Sequence, residues 1–378
     1  MSVRPQQRPA GEPTRVNADE LAAPEQLSGR TLRSRVALIA LAVAVLVALV
    51  TLLPGLGGLR SRLAHADPAW LAAGVALKLL SGLGYVAVFR MVFCRRMSWR
   101  VSTQVGMAEL GANAILPTGG AGGLALGAWA LRRGGMSARE IARRTVAFFL
   151  LTSLPNVLGV IVIGCALAAG VLAGESNLLL TLLPAAIAAA AVAATIALGR
   201  LAARAARARA AAGARTRRAR AWRGSLLALG DGVEESLALL REGDAVLIAG
   251  LLAYLVFDVA ILWAGFRALG AAPPVAVLAL AYLIGELGGL VPVPGGIGGV
   301  DAGLLGTLVL YHVSITAAAG AVIAYRAIAL VVPALAGAVA FQLLRRTLRR
   351  EAGQLAVCAP DTEMEIIGVG RAFVDGRR

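Results

Sequence analysis

Six stretches of this chain, at 36–59, 70–94, 146–173, 178–198, 245–268 and 316–344, are dominated by apolar and small side chains. Each has roughly 20 residues or more, the length a helix needs to cross about 30 Å of hydrocarbon. No other feature constrains the fold as strongly. Hydrophobic residues make up 58% of the 378 and charged ones only 15%, against about 45–50% and 25% in a soluble chain. That much apolar surface cannot be hidden from water, so lipid is the expected solvent.

Two further apolar stretches, 101–131 and 275–311, are longer but broken in the middle. The first contains Leu116-Pro117-Thr118-Gly119-Gly120-Ala121-Gly122-Gly123 and the second Val291-Pro292-Val293-Pro294-Gly295-Gly296-Ile297-Gly298-Gly299. Proline removes a helical donor and glycine costs about 1 kcal/mol in a helix interior, so neither stretch is expected to be one straight helix. Arg95, Arg96 and Arg100 precede the first; Arg132, Arg133, Arg139, Arg143 and Arg144 follow it. Because basic residues favour the cytoplasmic side, both ends face it, and the stretch enters and returns as a re-entrant hairpin. Anchoring the Arg-rich segment at 200–223 and Arg345, Arg346, Arg349 and Arg350 inside places both ends of the second stretch outside. It is therefore re-entrant from the opposite face. This arrangement puts 31 of the 37 basic residues on the cytoplasmic side.

The expected architecture is thus an all-α polytopic membrane protein with about six full spans and two oppositely oriented re-entrant hairpins. Residues 1–35 read as a disordered cytoplasmic N-terminus, unlike a signal peptide. Residues 36–346 form the membrane domain, with a solvated basic cytoplasmic loop at 200–243 that can lie on an anionic leaflet. Residues 347–378 form a cytoplasmic tail. A bacterial-type plasma membrane, with both termini cytoplasmic, is the expected location. The net charge of +16 is explained by this placement rather than by nucleic-acid binding. Cys94, Cys165 and Cys358 show no metal or disulfide spacing, and His65 and His312 are far apart, so neither a metal nor another cofactor is expected.

The chain also repeats itself. Phe89-Arg90 recurs as Phe266-Arg267, Glu109-Leu110-Gly111 as Glu286-Leu287-Gly288 and Pro117 as Pro294, all at an offset of 177. After one deleted residue, Gly119, Gly120, Gly122, Gly123 and Gly127 match Gly295, Gly296, Gly298, Gly299 and Gly303. The unit is span, hairpin, span, at 70–173 and 245–344. By the charge argument the two units are inverted, an architecture of secondary transporters in which broken helices meet near the midplane. Irregular backbone at that depth needs protein or a water-filled cavity around it, so the two breaks face each other inside the bundle.

Ionisable residues inside a membrane bundle are the functional candidates. Glu109 and Glu286 read either as proton-coupling groups or counter-ions for a cationic headgroup, or as structural partners of the opposing half-helix. Asp301 stands where a second half-helix starts and suits capping. Arg326 lies too deep to snorkel easily; its candidate partners are a bound phosphate, Asp301 or Glu286. Asn113 can use its amide within the first hairpin. Arg90 and Arg267 lie near opposite faces, where they snorkel to headgroups or pair with a carboxylate or lipid phosphate. Asp258 is a candidate partner for Lys78, the only lysine.

Asn113-Ala114-Ile115-Leu116-Pro117-Thr118-Gly119-Gly120, Pro292 through Asp301, and Tyr325-Arg326 downstream resemble the membrane region of lysylphosphatidylglycerol synthases and the stand-alone flippase-like proteins related to it. The resemblance covers about 36–346 and implies movement of an aminoacylated phospholipid between leaflets. The soluble aminoacyl-transferring domain is absent, so lysyl transfer is not implied. An Arg that the family often carries after the first hairpin proline is replaced here by Thr or Gly, and a family Glu by Asp301, so the same headgroup need not follow.

The leading expectation is a transporter that moves a phospholipid or lipid-linked headgroup, with Glu109, Asn113, Glu286, Asp301 and Arg326 at the substrate and no catalytic residue. The alternatives are a membrane transferase on a lipid-linked substrate, for which no Asp-x-x-Asp-like motif is present, and an accessory subunit of a separately encoded lipid-modifying enzyme. The expected partners are membrane lipids; the sequence does not specify an oligomeric state.

Overall fold

The computed structural model describes residues 57–115, 121–173, 178–211, 217–270, 272–288, 299–350 and Cys358. Among them the chain forms eleven helices and no strand. These are α1 (Gly57–Ala64), α2 (Pro68–Phe93), α3 (Trp99–Ile115), α4 (Ala121–Arg133), α5 (Ala138–Ala168), α6 (Leu178–Ala211), α7 (Arg217–Glu242), α8 (Ala245–Ala268), α9 (Val275–Gly288), α10 (Gly299–Leu310) and α11 (Ile315–Arg350). Five contain a segment long and apolar enough to cross a membrane: Pro68–Phe93, Ala138–Ala168, Leu178–Ala202, Ala245–Ala268 and Ile315–Leu348. Of the first expected span, 36–59, only the last three residues are described, at the start of α1. The breaks at Pro117, Gly119, Gly120, Pro292, Pro294, Gly295 and Gly296 also lie outside the described residues.

The duplication is visible in the helices. A long helix, two short ones and a long one occur as α2–α5 and again as α8–α11. Even the start signals repeat. Asp67 caps α2, its carboxylate accepting from the Ala69 N–H, and Asp244 caps α8, accepting from the Val246 and Leu247 N–H groups. A carboxylate there satisfies amides that have no partner within the helix and complements the helix dipole. The two caps stand 177 residues apart, the offset already read from Phe-Arg and Glu-Leu-Gly.

Helices α2 and α8 form the most extensive helix contact and run antiparallel. The Asp67 N–H at the start of α2 donates to the Ala268 carbonyl at the end of α8 (2.8 Å). At the other end, Arg95 just beyond α2 pairs with Glu242 just before α8 (2.5 Å). The helices touch backbone to backbone midway: a Cβ on Gly84 would stand 2.8 Å from the Gly250 carbonyl oxygen, and one on Gly250 3.0 Å from that of Gly84. Around this axis the repeats interlock, with α3 against α11 and its counterpart α9 against α5. Each short pair also packs on itself, α3 with α4 and α9 with α10.

The core divides in the same way. One apolar cluster surrounds α3 and α4 and includes Phe89, Val105, Leu126 and Phe148; the other surrounds α9 and α10 and includes Phe266, Leu278, Leu304 and Val322. The repeat mates Phe89 and Phe266 are fully buried, one in each cluster.

Two expectations are corrected. Residues 200–243 are not a solvated loop, because α6 continues to Ala211 and 217–242 is helix α7. Val233, Ser236 and Leu239 on α7 are buried, a three-residue spacing that marks one helical face. The arginine density of the segment hid it. On the polar side, Glu235 meets Arg143 (3.0 Å) and Arg144 (3.8 Å) at the start of α5, and Asp231 meets Arg139 (3.7 Å). The second correction concerns cysteine: Cys94 and Cys358 form a disulfide, with Cα atoms 5.7 Å apart. At a sequence separation of 264, the spacing carried no sign of the pairing.

Candidate polar site in the helix bundle

The buried polar residues fall into two groups, one in each half of the core. The larger belongs to the second repeat. Lys78 Nζ on α2 donates to both carboxylate oxygens of Asp258 on α8, at 2.8 and 3.0 Å. Tyr282 on α9 donates its hydroxyl to Asp258 Oδ2 (3.3 Å). Tyr254 and Asp258 are four residues apart on α8, and Tyr282 and Glu286 four apart on α9, so each pair shares a helix face. Glu286 lies within electrostatic range of Asp258, Lys78 and Arg326 and makes no ion pair among the described residues. Arg326 on α11 donates through Nε to Asp301 Oδ1 (2.5 Å). Asp301 is in the first turn of α10. Tyr325 stacks edge-on against Tyr282, with ring centroids 6.2 Å apart.

Accessibility is graded across this group. The Lys78 and Asp258 side chains are 9% and 5% exposed, whereas Arg326 and Asp301 are 18% and 25% exposed. The inner pair is sealed, and the outer pair is reachable. Bare charges this deep would be costly, and the close oxygen–nitrogen contacts offset that cost.

The smaller group belongs to the first repeat. Glu109 on α3 is 1% exposed, and the Tyr85 phenol on α2 lies within electrostatic range of it. Its Oε2 has no hydrogen-bond partner among the described residues. The returning helix α4 lies directly over the carboxyl: a Cβ on Gly127 would come 3.1 Å from Oε2. Asn113 Oδ1, one turn further along α3, accepts from the Gly123 N–H (2.8 Å) and ties α4 to α3. Gly123 has no room for a side chain, since a Cβ there would collide with Asn113 and the Glu109 carbonyl.

Of the sequence candidates, Glu286, Asp301 and Arg326 come together, while Glu109 and Asn113 form a separate group in the other half. Arg90 and Arg267 lie in neither. Arg90 donates through Nε to the Met97 carbonyl (2.8 Å) and lies over the Trp99 ring (4.7 Å). Arg267 lies over Trp70 (5.3 Å) and Trp263 (5.8 Å). Sequence reasoning missed Tyr85, Tyr254 and Tyr282, three of only five tyrosines in the chain. The signal was the four-residue spacing of Tyr254 from Asp258 and of Tyr282 from Glu286. Among the described residues, no three His, Cys, Asp or Glu side chains gather as metal ligands.

These features define a multi-pass α-helical membrane protein that holds a few ionisable residues inside a duplicated bundle. The chain belongs to the family described as the lysylphosphatidylglycerol synthase TM region, whose model matches residues 37–337. The match takes in both repeats and ends within α11. No curated protein matches the chain.

Proposed function

We propose that the protein moves a phospholipid or lipid-linked headgroup between the leaflets of a bacterial-type plasma membrane, through the space between its two repeats. The observation that carries this reading is the accessible Asp301–Arg326 pair beside Glu286, inside an otherwise apolar bundle. A guanidinium binds a phosphate oxygen strongly, and the two carboxylates suit an ammonium group. That combination matches an aminoacylated phospholipid, the lipid named in the family description. The antiparallel packing of α2 and α8 supports an inverted pair, with the hairpins entering from opposite faces.

Tail-labelled lysylphosphatidylglycerol and phosphatidylglycerol, reconstituted with the full chain and quenched from outside, test the reading. The wild type exchanges at least one of them. Glu286→Gln and Arg326→Gln each insert normally but lose about tenfold or more in rate, the loss of one charge-assisted hydrogen bond of about 1.5–3 kcal/mol. Unchanged rates in both variants overturn the assignment. A covalently altered lipid product, in place of exchange, supports a transferase instead.

A further inference from the structure

We infer that Glu109 is a proton-binding site, distinct from the headgroup site, which must be loaded before the first hairpin can close over it. This rests on the transport reading above and adds an energy source to it.

The duplication supplies the comparison. Glu109 and Glu286 occupy the same place in the repeat, but their surroundings do not match. The positions equivalent to Asp258, Tyr282, Asp301 and Arg326 are Ser81, Val105, Ala125 and Leu150 in the first repeat. The ion pairs and the accessible opening therefore belong to Glu286 alone. Glu109 instead has Tyr85, at a position that is Leu262 in the second repeat.

The groups facing Glu109 come from three elements. From α2, Tyr85 lies within electrostatic range of it, with the Tyr254 ring of α8 beside that phenol (centroids 5.6 Å apart). Lys78 on α2 is held by Asp258, and Arg90 by the Met97 carbonyl and Trp99. From α4, the basic residues are Arg132 and Arg133 in its last turn, Arg133 lying over Trp129. From α11, Arg326 pairs with Asp301, and Arg345 lies over Phe341. No cation among the described residues pairs with Glu109.

A bare carboxylate in this place would be an uncompensated buried charge. The neutral acid carries no such burden, and its O–H would occupy the space at Oε2 beneath Gly127. A lone buried carboxyl with an open Oε2 and no paired cation among the described residues suits a proton as its ligand. Release then requires α4 to move off the carboxyl and admit water. Protonation of Glu109 and closure of the first hairpin are thereby one event, while the headgroup is held in the other half of the bundle.

The test uses the full chain in vesicles of phosphatidylethanolamine and phosphatidylglycerol with a trace of the tail-labelled lipid. A gradient of about one pH unit drives the label toward an asymmetry of up to about tenfold between leaflets, the limit for one proton per lipid. Glu109→Gln, which cannot release a proton, abolishes the pH-driven asymmetry. Independently of transport, infrared difference spectra contain the carbonyl stretch of a protonated carboxyl that Glu109→Gln removes. An even distribution in the wild type, a sodium gradient that replaces the pH gradient, or a band that survives Glu109→Gln overturns the inference. If Glu286→Gln stops exchange while the wild type ignores the pH gradient, the proton site fails and the transport reading stands. If no lipid exchanges but the infrared band behaves as described, the proton site stands and the transport reading fails.

Discussion

Lys78 and Asp258 form the most fully enclosed ion pair between the repeats, and their energetics can be separated from transport. Removing one partner leaves the other charge buried and uncompensated, which costs about 3–5 kcal/mol, whereas replacing both with apolar residues of similar size is often neutral. Lys78→Met or Asp258→Leu alone should therefore lower thermal stability in detergent markedly. The double variant should recover most of it; a double variant as unstable as the worse single one would mean that the pair is worth more than its mutual neutralisation. The charged members of the polar groups were legible in the sequence because ionisable residues stand out in apolar helices. Their tyrosine partners were not, because a phenol is inconspicuous on a hydropathy reading and becomes polar chemistry only where its hydroxyl meets a carboxylate. Nor did the matched glutamates foretell unlike surroundings, which depend on residues from four other helices.

At the scale of the element, α7 is held to α5 by charges and by the close approach of Gly232 to Val146, while Val233 packs on Gly199 of α6. Burial pushes the Glu235 carboxyl above its ordinary range, outweighing the opposite pull of Arg143 and Arg144. The folded state therefore holds this proton to higher pH than the unfolded one does, so stability from this group falls as pH rises through and above the usual carboxylate range. Hydrogen exchange in α7 should accelerate over that interval in the wild type, and Glu235→Gln should flatten the dependence. An equally steep profile in the variant would assign the effect to another group. The helix was missed in the sequence because charge density dominated the reading of 200–243, while its buried positions recur every three residues. The broken stretches were read correctly as interrupted, and each holds two short helices, since proline and glycine act on the backbone locally and need no tertiary context.

Across the whole molecule, the offset of 177 residues was enough to reveal the duplication, and the Asp67 and Asp244 caps extend it to the helix starts. How the halves interlock was not legible, because the meeting of α2 with α8 at Gly84 and Gly250 joins positions that are not repeat mates. The disulfide has a consequence of another kind. Joining Cys94 to Cys358 makes the chain a covalent ring with two tails, and the ring encloses the whole second repeat. A single proteolytic cut anywhere from 95 to 357 opens the ring without dividing the molecule. Purified protein nicked once in the α6–α7 connection should run as one species on a denaturing gel and separate into two fragments when a reductant is added. Cys94→Ser should give two fragments under either condition.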